Sequence, residues 1–168
     1  MPGPEDRLPL AARVTLSVSE ALNRRGIYMG RRSTKVHVAV YRWSRGRIGA
    51  RMPGFPEVPI VLVDHVGARS GRRRTSPLMG HMAGDVVAVV ASKAGQPTHP
   101  AWLHNLKAHP ETEVQIGPEV RRVRARLASE AERTEWWPRV VARYPGYEFY
   151  EQLAGDRMMP VVLLEPRA

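Results

Sequence analysis

The chain of 168 residues has no cysteine, which removes disulfides, thiolate nucleophiles and thiolate metal sites. Lysine is nearly as scarce. Of 26 basic residues only Lys35, Lys93 and Lys107 are lysine, so arginine carries the positive charge, and its planar fork grips carboxylate and phosphate bidentately. Long apolar runs are missing: those around Pro59 to Val63 and Val86 to Ala91 fall far short of the ~20 residues of a membrane-crossing helix. The start, Met1-Pro2-Gly3-Pro4-Glu5-Asp6, lacks both the basic residues and the apolar stretch of a secretory signal, so the expectation is a soluble, cytoplasmic protein. There is no Gly-x-x-x-x-Gly-Lys-Ser/Thr and no Gly-x-Gly-x-x-Gly after a strand, which leaves nucleotide P-loops and Rossmann crossings unsupported. His99 and His104 form the closest useful histidine pair, but with no carboxylates nearby no metal site is expected. Gly67 to Gly71 places its serine one position too late for a nucleophile elbow, and paired carboxylates are absent. If the chain is an enzyme, a cofactor carries the reaction.

Hydrophobic content of 43% and charged content of 25% are ordinary for a globular domain of this length. The formal net charge of +10 is not, and it calls for an anionic partner: nucleic acid, anionic lipid or a polyanionic cofactor. The basic residues are not interleaved with aromatics in a nucleic-acid-binding pattern, so no nucleic acid is expected.

The densest charge lies in Gly67-Ala68-Arg69-Ser70-Gly71-Arg72-Arg73-Arg74-Thr75-Ser76-Pro77-Leu78. Exposed like charges this close repel by roughly a kcal/mol per pair. A solvated turn would relieve that repulsion, and so would a bound anion; we read the anion as a phosphate-bearing cofactor. Backbone N–H groups near Gly67 and Gly71, the hydroxyls of Ser70, Thr75 and Ser76, and the guanidinium groups of Arg69 and Arg74 supply a nest of donors. Lys93, just after an apolar strand, adds a point charge from a second loop.

In chain order, residues 1 to 7 read as a leader and Leu8 to Asn23 as an amphipathic helix stopped at Arg24-Arg25-Gly26. Its apolar face can pack on the protein's own body or, beside Arg24, Arg25, Arg31 and Arg32, lie on a membrane. Residues 34 to 44 fit strand or helix; the irregular connector Arg45 to Glu57, without a partner strand, favours helix. From Val58 the pattern turns to strands at 59–66, 74–82 and 86–92, a helix at 99–108, a hairpin at 112–116 and 119–127, a helix capped by Ser129 and Glu132 that Pro138 interrupts or kinks, a short helix to Leu153, and a strand at 158–165. This predicts an α+β fold: a small, mostly antiparallel barrel with flanking helices, preceded by a helical segment over 1–57. Tyr144, Tyr147 and Tyr150, three residues apart, fall on one side of a short helix or turn, where they either lid the core or stack on a planar substrate.

The order of motifs is specific: Gly67-x-Arg69-Ser70-Gly71-x-x-Arg74-x-x-Pro77-Leu78, Ala91-Ser92-Lys93-x-Gly95, His99-Pro100-x-Trp102-x-x-Asn105-Leu106, Trp137, Tyr144-Pro145-x-Tyr147-x-x-Tyr150, Asp156-Arg157 and Pro160-Val161-Val162-x-Leu164-Glu165-Pro166. From Val58 to Pro166 the chain resembles the deazaflavin-dependent nitroreductase family. The resemblance implies a split β-barrel of the FMN-binding kind that holds coenzyme F-420 and passes hydride to a quinone or nitroaromatic acceptor; a related barrel using FMN is the alternative. It implies that Ala68, Arg69, Ser70 and Arg74 hold the cofactor's phosphate and acidic tail. Thr75, Ser76, Pro77, Leu78 and Met79, with Ala91, Ser92 and Lys93, would line the cleft, and Ala101, Trp102 and Asn105 would border the ring. Ser92, Tyr144, Tyr147 and Tyr150 would face the acceptor, with a tyrosine hydroxyl or water supplying the proton. Two departures stand out: Met79 where relatives often have an aromatic, and Arg72-Arg73 in place of a polar-proline pair. Residues 1–57 resemble the family only in Tyr41-Arg42 and Gly46-x-x-Gly49, a region that can contact membranes in relatives.

Overall fold

The computed structural model describes residues 8–25 and 30–167; the expected leader and the Gly26 helix stop lie outside them. Two helices come first, α1 (Leu10–Arg24) and α2 (Arg31–Trp43). The strands β1 (Arg51–Met52), β2 (Phe55–Val66), β3 (Arg73–Ala83) and β4 (Val86–Val90) follow. A tight turn (Lys93–Gly95) leads to α3 (Ala101–Ala108), then β5 (Glu111–Ile116), β6 (Glu119–Leu127), α4 (Glu130–Arg143), α5 (Gly146–Ala154) and β7 (Val161–Pro166).

The strands form one sheet in the order β1-β2-β3-β4-β7-β6-β5, and an additional β2–β5 pairing closes it. Every pairing is antiparallel, so β2 to β7 make a six-stranded barrel with β1 a short flap on β2. This is the expected antiparallel split barrel with flanking helices. Alternation divides its residues between two cores. Inside lie Val61, Val63, Val87, Val89, Val114, Val123, Val162 and Leu164, plugged by Trp102, Leu103 and Leu106 of α3. Outside, Val58, Ala88, Val90, Val161 and Leu163 are covered by Trp136 and Val140 of α4, the tyrosines of α5, and Ala12 and Leu16 of α1.

Residues 31–43 are helical, in line with the sequence reading, but the connector is not irregular throughout. Arg51 and Met52 pair with β2, which begins at Phe55 rather than after residue 57. Pro56 and Pro59 hid that start: prolines are tolerated where a strand has little ladder to complete, and here the partner is only two residues long. Pro138 does not end α4, which runs on to Arg143 from a complete capping box at Ser129 and Glu132.

Both N-terminal helices are fastened to the barrel. The Tyr41 hydroxyl of α2 donates to the Ile60 carbonyl at 2.9 Å and accepts from the Gly117 N–H at 2.8 Å. The α1 backbone sits directly on Gly54, where a Cβ would stand 2.5 Å from the Ala12 Cα and where φ is +79°. Any side chain at 54 would both strain the turn and lift the helix. Only one face of α1 is covered; Leu10, Val14, Val18 and Leu22 on the other are exposed.

Candidate functional site

A cleft of about 1440 Å³ runs between α2, the β2–β3 hairpin, the start of α3 and β5. The hairpin loop, residues 67–72, is tightened by Gly67 N–H to Arg72 carbonyl at 2.9 Å and Gly71 N–H to Gly67 carbonyl at 2.8 Å. The closed loop throws Arg69, Arg72, Arg73 and Arg74 outward into solvent. Arg72, Arg73 and Arg74 line the cleft, and α2 brings Arg32 and Lys35 to it. Among the described residues, none of these five cations has a carboxylate within ion-pair distance.

Strand parity builds the walls. Asp64 and Thr75 are register partners on the outer face, where Asp64 accepts from the Thr75 hydroxyl and from Arg42 of α2 at 2.6 and 2.9 Å. His65 and Arg74 are partners on the inner face, with Ser76 opposite Val63 on the same side. His65 is buried at the barrel mouth: its Nε2 lies 3.0 Å from Ser76 Oγ and its Nδ1 2.9 Å from Asn105 Nδ2. The Asn105 oxygen accepts from the Ala68 N–H at 2.9 Å, tying α3 to the loop. Burial, then the charge of Arg74, pushes the His65 pKa below the ordinary histidine value, with Asp64 opposing. A neutral ring is the result at neutral pH.

β3 pairs with β4 only over Gly80–Ala83, so Arg74–Met79 have no strand partner on that side. The Ala91–Gly95 turn takes over from β4 where this half-buried edge begins. In it Lys93, Ala94 and Gly95 all have left-handed backbone, with φ of +47°, +51° and +76°. For Lys93 and Ala94 that conformation costs roughly 1–2 kcal/mol each, and such strain collects at functional sites. Arg157 holds the turn by donating to the carbonyls of Ala91 (3.2 Å), Ser92 (2.6 Å) and Gln96 (2.8 Å). Lys93 Nζ donates to the Thr98 hydroxyl at 2.6 Å.

Of the residues expected from sequence, Arg74, Thr75, Ser76, Ala101 and Trp102 line the cleft, and Ala68 and Asn105 are bonded to its wall. Arg69 and Ser70 are exposed on the loop. Pro77, Leu78 and Met79 continue the unpaired edge toward Ala91, Ser92 and Lys93, none of which lines the cleft itself. Tyr144, Tyr147 and Tyr150 are not brought there. They are buried under α1 with rings edge-on, the Tyr144 and Tyr150 hydroxyls 3.2 Å apart and Tyr150 3.0 Å from Ser19 Oγ. Burial drives the Tyr144 and Tyr147 hydroxyls well above the ordinary phenol pKa. Tyr147 meets His81 at 3.2 Å, and burial with the nearby Arg143 charge lowers His81 to about 4. The sequence reading missed Arg32, Lys35, Asp64 and His65. For His65 the alternation through Val61 and Val63 was the available signal.

A family profile described as F420H(2)-dependent quinone reductase matches residues 33–166. The F420H(2)-dependent quinone reductase Rv1261c of Mycobacterium tuberculosis is 36% identical over 146 residues, covering 83% of this chain and 94% of that protein. A solved F420-H2 dependent reductase, FDR-A, is 42% identical with a TM-score of 0.59, covering 64% of this chain and 94% of its own. A structure described as a domain-swapped dimer is 36% identical with a TM-score of 0.62, covering 80% of this chain and 96% of its own. With the barrel, the cationic cleft and the ordered motifs in place, these likenesses have one reading: the chain belongs to the F420H(2)-dependent quinone reductase family.

Proposed function

We propose that the cleft holds reduced coenzyme F-420 and that the protein reduces a quinone, nitroaromatic or similar electron-poor acceptor. The observation that carries this is the cluster of five cations without an ion-pair partner, Arg32, Lys35, Arg72, Arg73 and Arg74, in a cleft large enough for a dinucleotide-sized anion, where they outweigh the carboxylates Asp64, Glu111 and Glu113. A phosphate and a chain of carboxylates suit that wall, and the hydroxyls of Thr75 and Ser76 add neutral donors. Bound there, the reduced deazaflavin supplies a hydride. The chain's own residues position and screen. Arg69, Arg74, Ala68 and Ser70 hold the phosphate and acidic tail, extended by Arg32 and Lys35 of α2. The unpaired edge Thr75–Met79, with Ala91, Ser92 and Lys93, lines the way to the ring, and Ala101, Trp102 and Asn105 border it. Burial keeps the Tyr144 and Tyr147 hydroxyls protonated, and since none of the three tyrosines reaches the cleft, water supplies the proton to the reduced acceptor.

On this reading 58–168 supplies most of the cofactor site, α2 adds Arg32 and Lys35 to it, and α1 serves the acceptor side. The exposed Leu10, Val14 and Val18 of α1 and Val36 and Trp43 of α2, with the exposed Arg25 just after α1, suit an anionic membrane on its cytoplasmic face, where quinones reside.

Fluorescence titration at low salt with oxidised coenzyme F-420 beside FMN tests the cofactor. Loss of the reduced deazaflavin absorbance with menadione, a nitroaromatic and an activated alkene then ranks acceptors. Saturable F-420 binding with turnover is expected. No F-420 binding, or a yellow protein releasing flavin on denaturation, overturns the reading. Flotation with vesicles containing phosphatidylglycerol checks the membrane contact, and its absence there removes that part alone.

A further inference from the structure

Among the described residues, tyrosines and tryptophans aside, four polar side chains are buried, and two of them, His65 and Asn105, touch. Their contacts fix the direction of every hydrogen bond in a chain. The Ala68 N–H can only donate, so the Asn105 oxygen must face it. The Asn105 amide nitrogen therefore faces His65, and because it carries hydrogens and no available lone pair, His65 Nδ1 must accept. A neutral imidazole accepting at Nδ1 has its hydrogen on Nε2, and that hydrogen points at Ser76 Oγ. Ser76, which lines the cleft, keeps its own hydroxyl hydrogen for another acceptor.

We infer that His65 is a positioning residue for the cleft: through Ala68, Asn105 and Ser76 it sets the hairpin loop and aims the Ser76 hydroxyl as a donor to an oxygen of the bound anion. This rests on the reading of the cleft as the coenzyme F-420 site. The relay also links the loop's attachment to His65 charge. The charged groups around the ring are Arg74, its register partner on β3, and Asp64 beside it on β2, while α3 presents the uncharged Asn105. Protonated His65 would carry a hydrogen on Nδ1 as well, facing the Asn105 amide hydrogens. The amide would have to turn, and its NH₂ would then confront the Ala68 N–H. Neutral His65 thus keeps the loop fastened.

Long-range ¹H–¹⁵N correlation spectra of the wild-type protein without cofactor read the tautomer directly. The Nε2–H form is expected at neutral pH, giving way to imidazolium below the usual histidine range; an Nδ1–H form, or a ring exchanging between the two, overturns the inference. Asn105→Asp replaces the amide donor with a carboxylate, so its spectrum should show a hydrogen on His65 Nδ1; an unchanged tautomer also overturns it. Fluorescence titration with oxidised coenzyme F-420 should give about tenfold weaker binding for His65→Leu and for Ser76→Ala, the scale of one lost hydrogen bond. The double variant should be no weaker than either single, because the two act through one bond. Additive losses, roughly a hundredfold in the double variant, overturn the coupling. Failure of the wild-type protein to bind F-420 would count against the cofactor reading, while the tautomer spectra would still decide the relay.

Discussion

Two groups of arginines on this molecule are held in opposite ways. On the side formed by β6, β7 and α4, each of several arginines meets a carboxylate: Arg121 with Glu119, Arg139 with Glu135, and Arg126 with both Glu132 and Glu165. Around the cleft, which also holds the Arg42–Asp64 and Arg167–Glu111 pairs, Arg32, Lys35, Arg72, Arg73 and Arg74 have no such partner among the described residues. The first group is electrostatically complete. The second gathers like charge and leaves it unsatisfied, an arrangement that costs apo stability and makes sense when an anion completes it. Net charge alone would not have separated the two.

The largest expected effect lies at the unpaired group. Arg73→Glu with Arg74→Glu should weaken F-420 binding at least about a hundredfold, since charge-assisted hydrogen bonds are each worth roughly 1.5–3 kcal/mol. Fluorescence titration checks it, and a loss below threefold breaks the distinction. Next comes a group denied both carboxylate and ligand, His81, buried beside Tyr147. Its folded pKa of about 4 lies below the ordinary 6.5, so the unfolded chain takes up the proton first as pH falls. Stability is fully present above 6.5 and should drop by about 3 kcal/mol on the way down to 4. Urea unfolding across that range measures the slope, which His81→Leu should flatten. Arg126→Ala in the completed group should cost about 1 kcal/mol of stability, as an exposed network at the α4 start, and leave F-420 affinity unchanged. The smallest effects should have opposite signs. Arg121→Ala loses at most about 0.5 kcal/mol, whereas Arg72→Gln gains a few tenths of a kcal/mol in the absence of cofactor by relieving repulsion. Thermal melts at low salt resolve the two, and a destabilised Arg72→Gln would count against the cluster being strained.

Much of this was legible in the sequence because it depends on local rules. The Ser129 and Glu132 capping box, the hairpin turns and the alternation of β4 required only neighbours. The ordered motifs located Arg74, Thr75, Ser76, Trp102 and Asn105 at one cleft, and the structure brings them together there. What escaped depends on contacts far apart in the chain. That Arg32 and Lys35 oppose Arg72 to Arg74 follows from how α2 docks through Tyr41, which no periodicity encodes. The spacing of the tyrosines grouped them on one side of a short helix or turn; α5 carries Tyr147 and Tyr150 while Tyr144 ends α4, and spacing could not tell that Ser19 of α1 would bond to Tyr150.

The barrel is fastened unevenly around its circumference. β2 has seven registered pairs with β3 but two with β5, Leu62 with Gln115 and Val63 with Val114. The cleft follows that weak line, with Asp64 and His65 on one lip and Thr112 and Glu113 on the other. Local opening should therefore begin there, and amide hydrogens along the β2–β5 line should exchange with solvent sooner than those of the β3 ladder. Between such openings the Thr112 hydroxyl, which donates to the Asp64 carbonyl, and the Val63–Val114 pair inside the barrel hold the seam together.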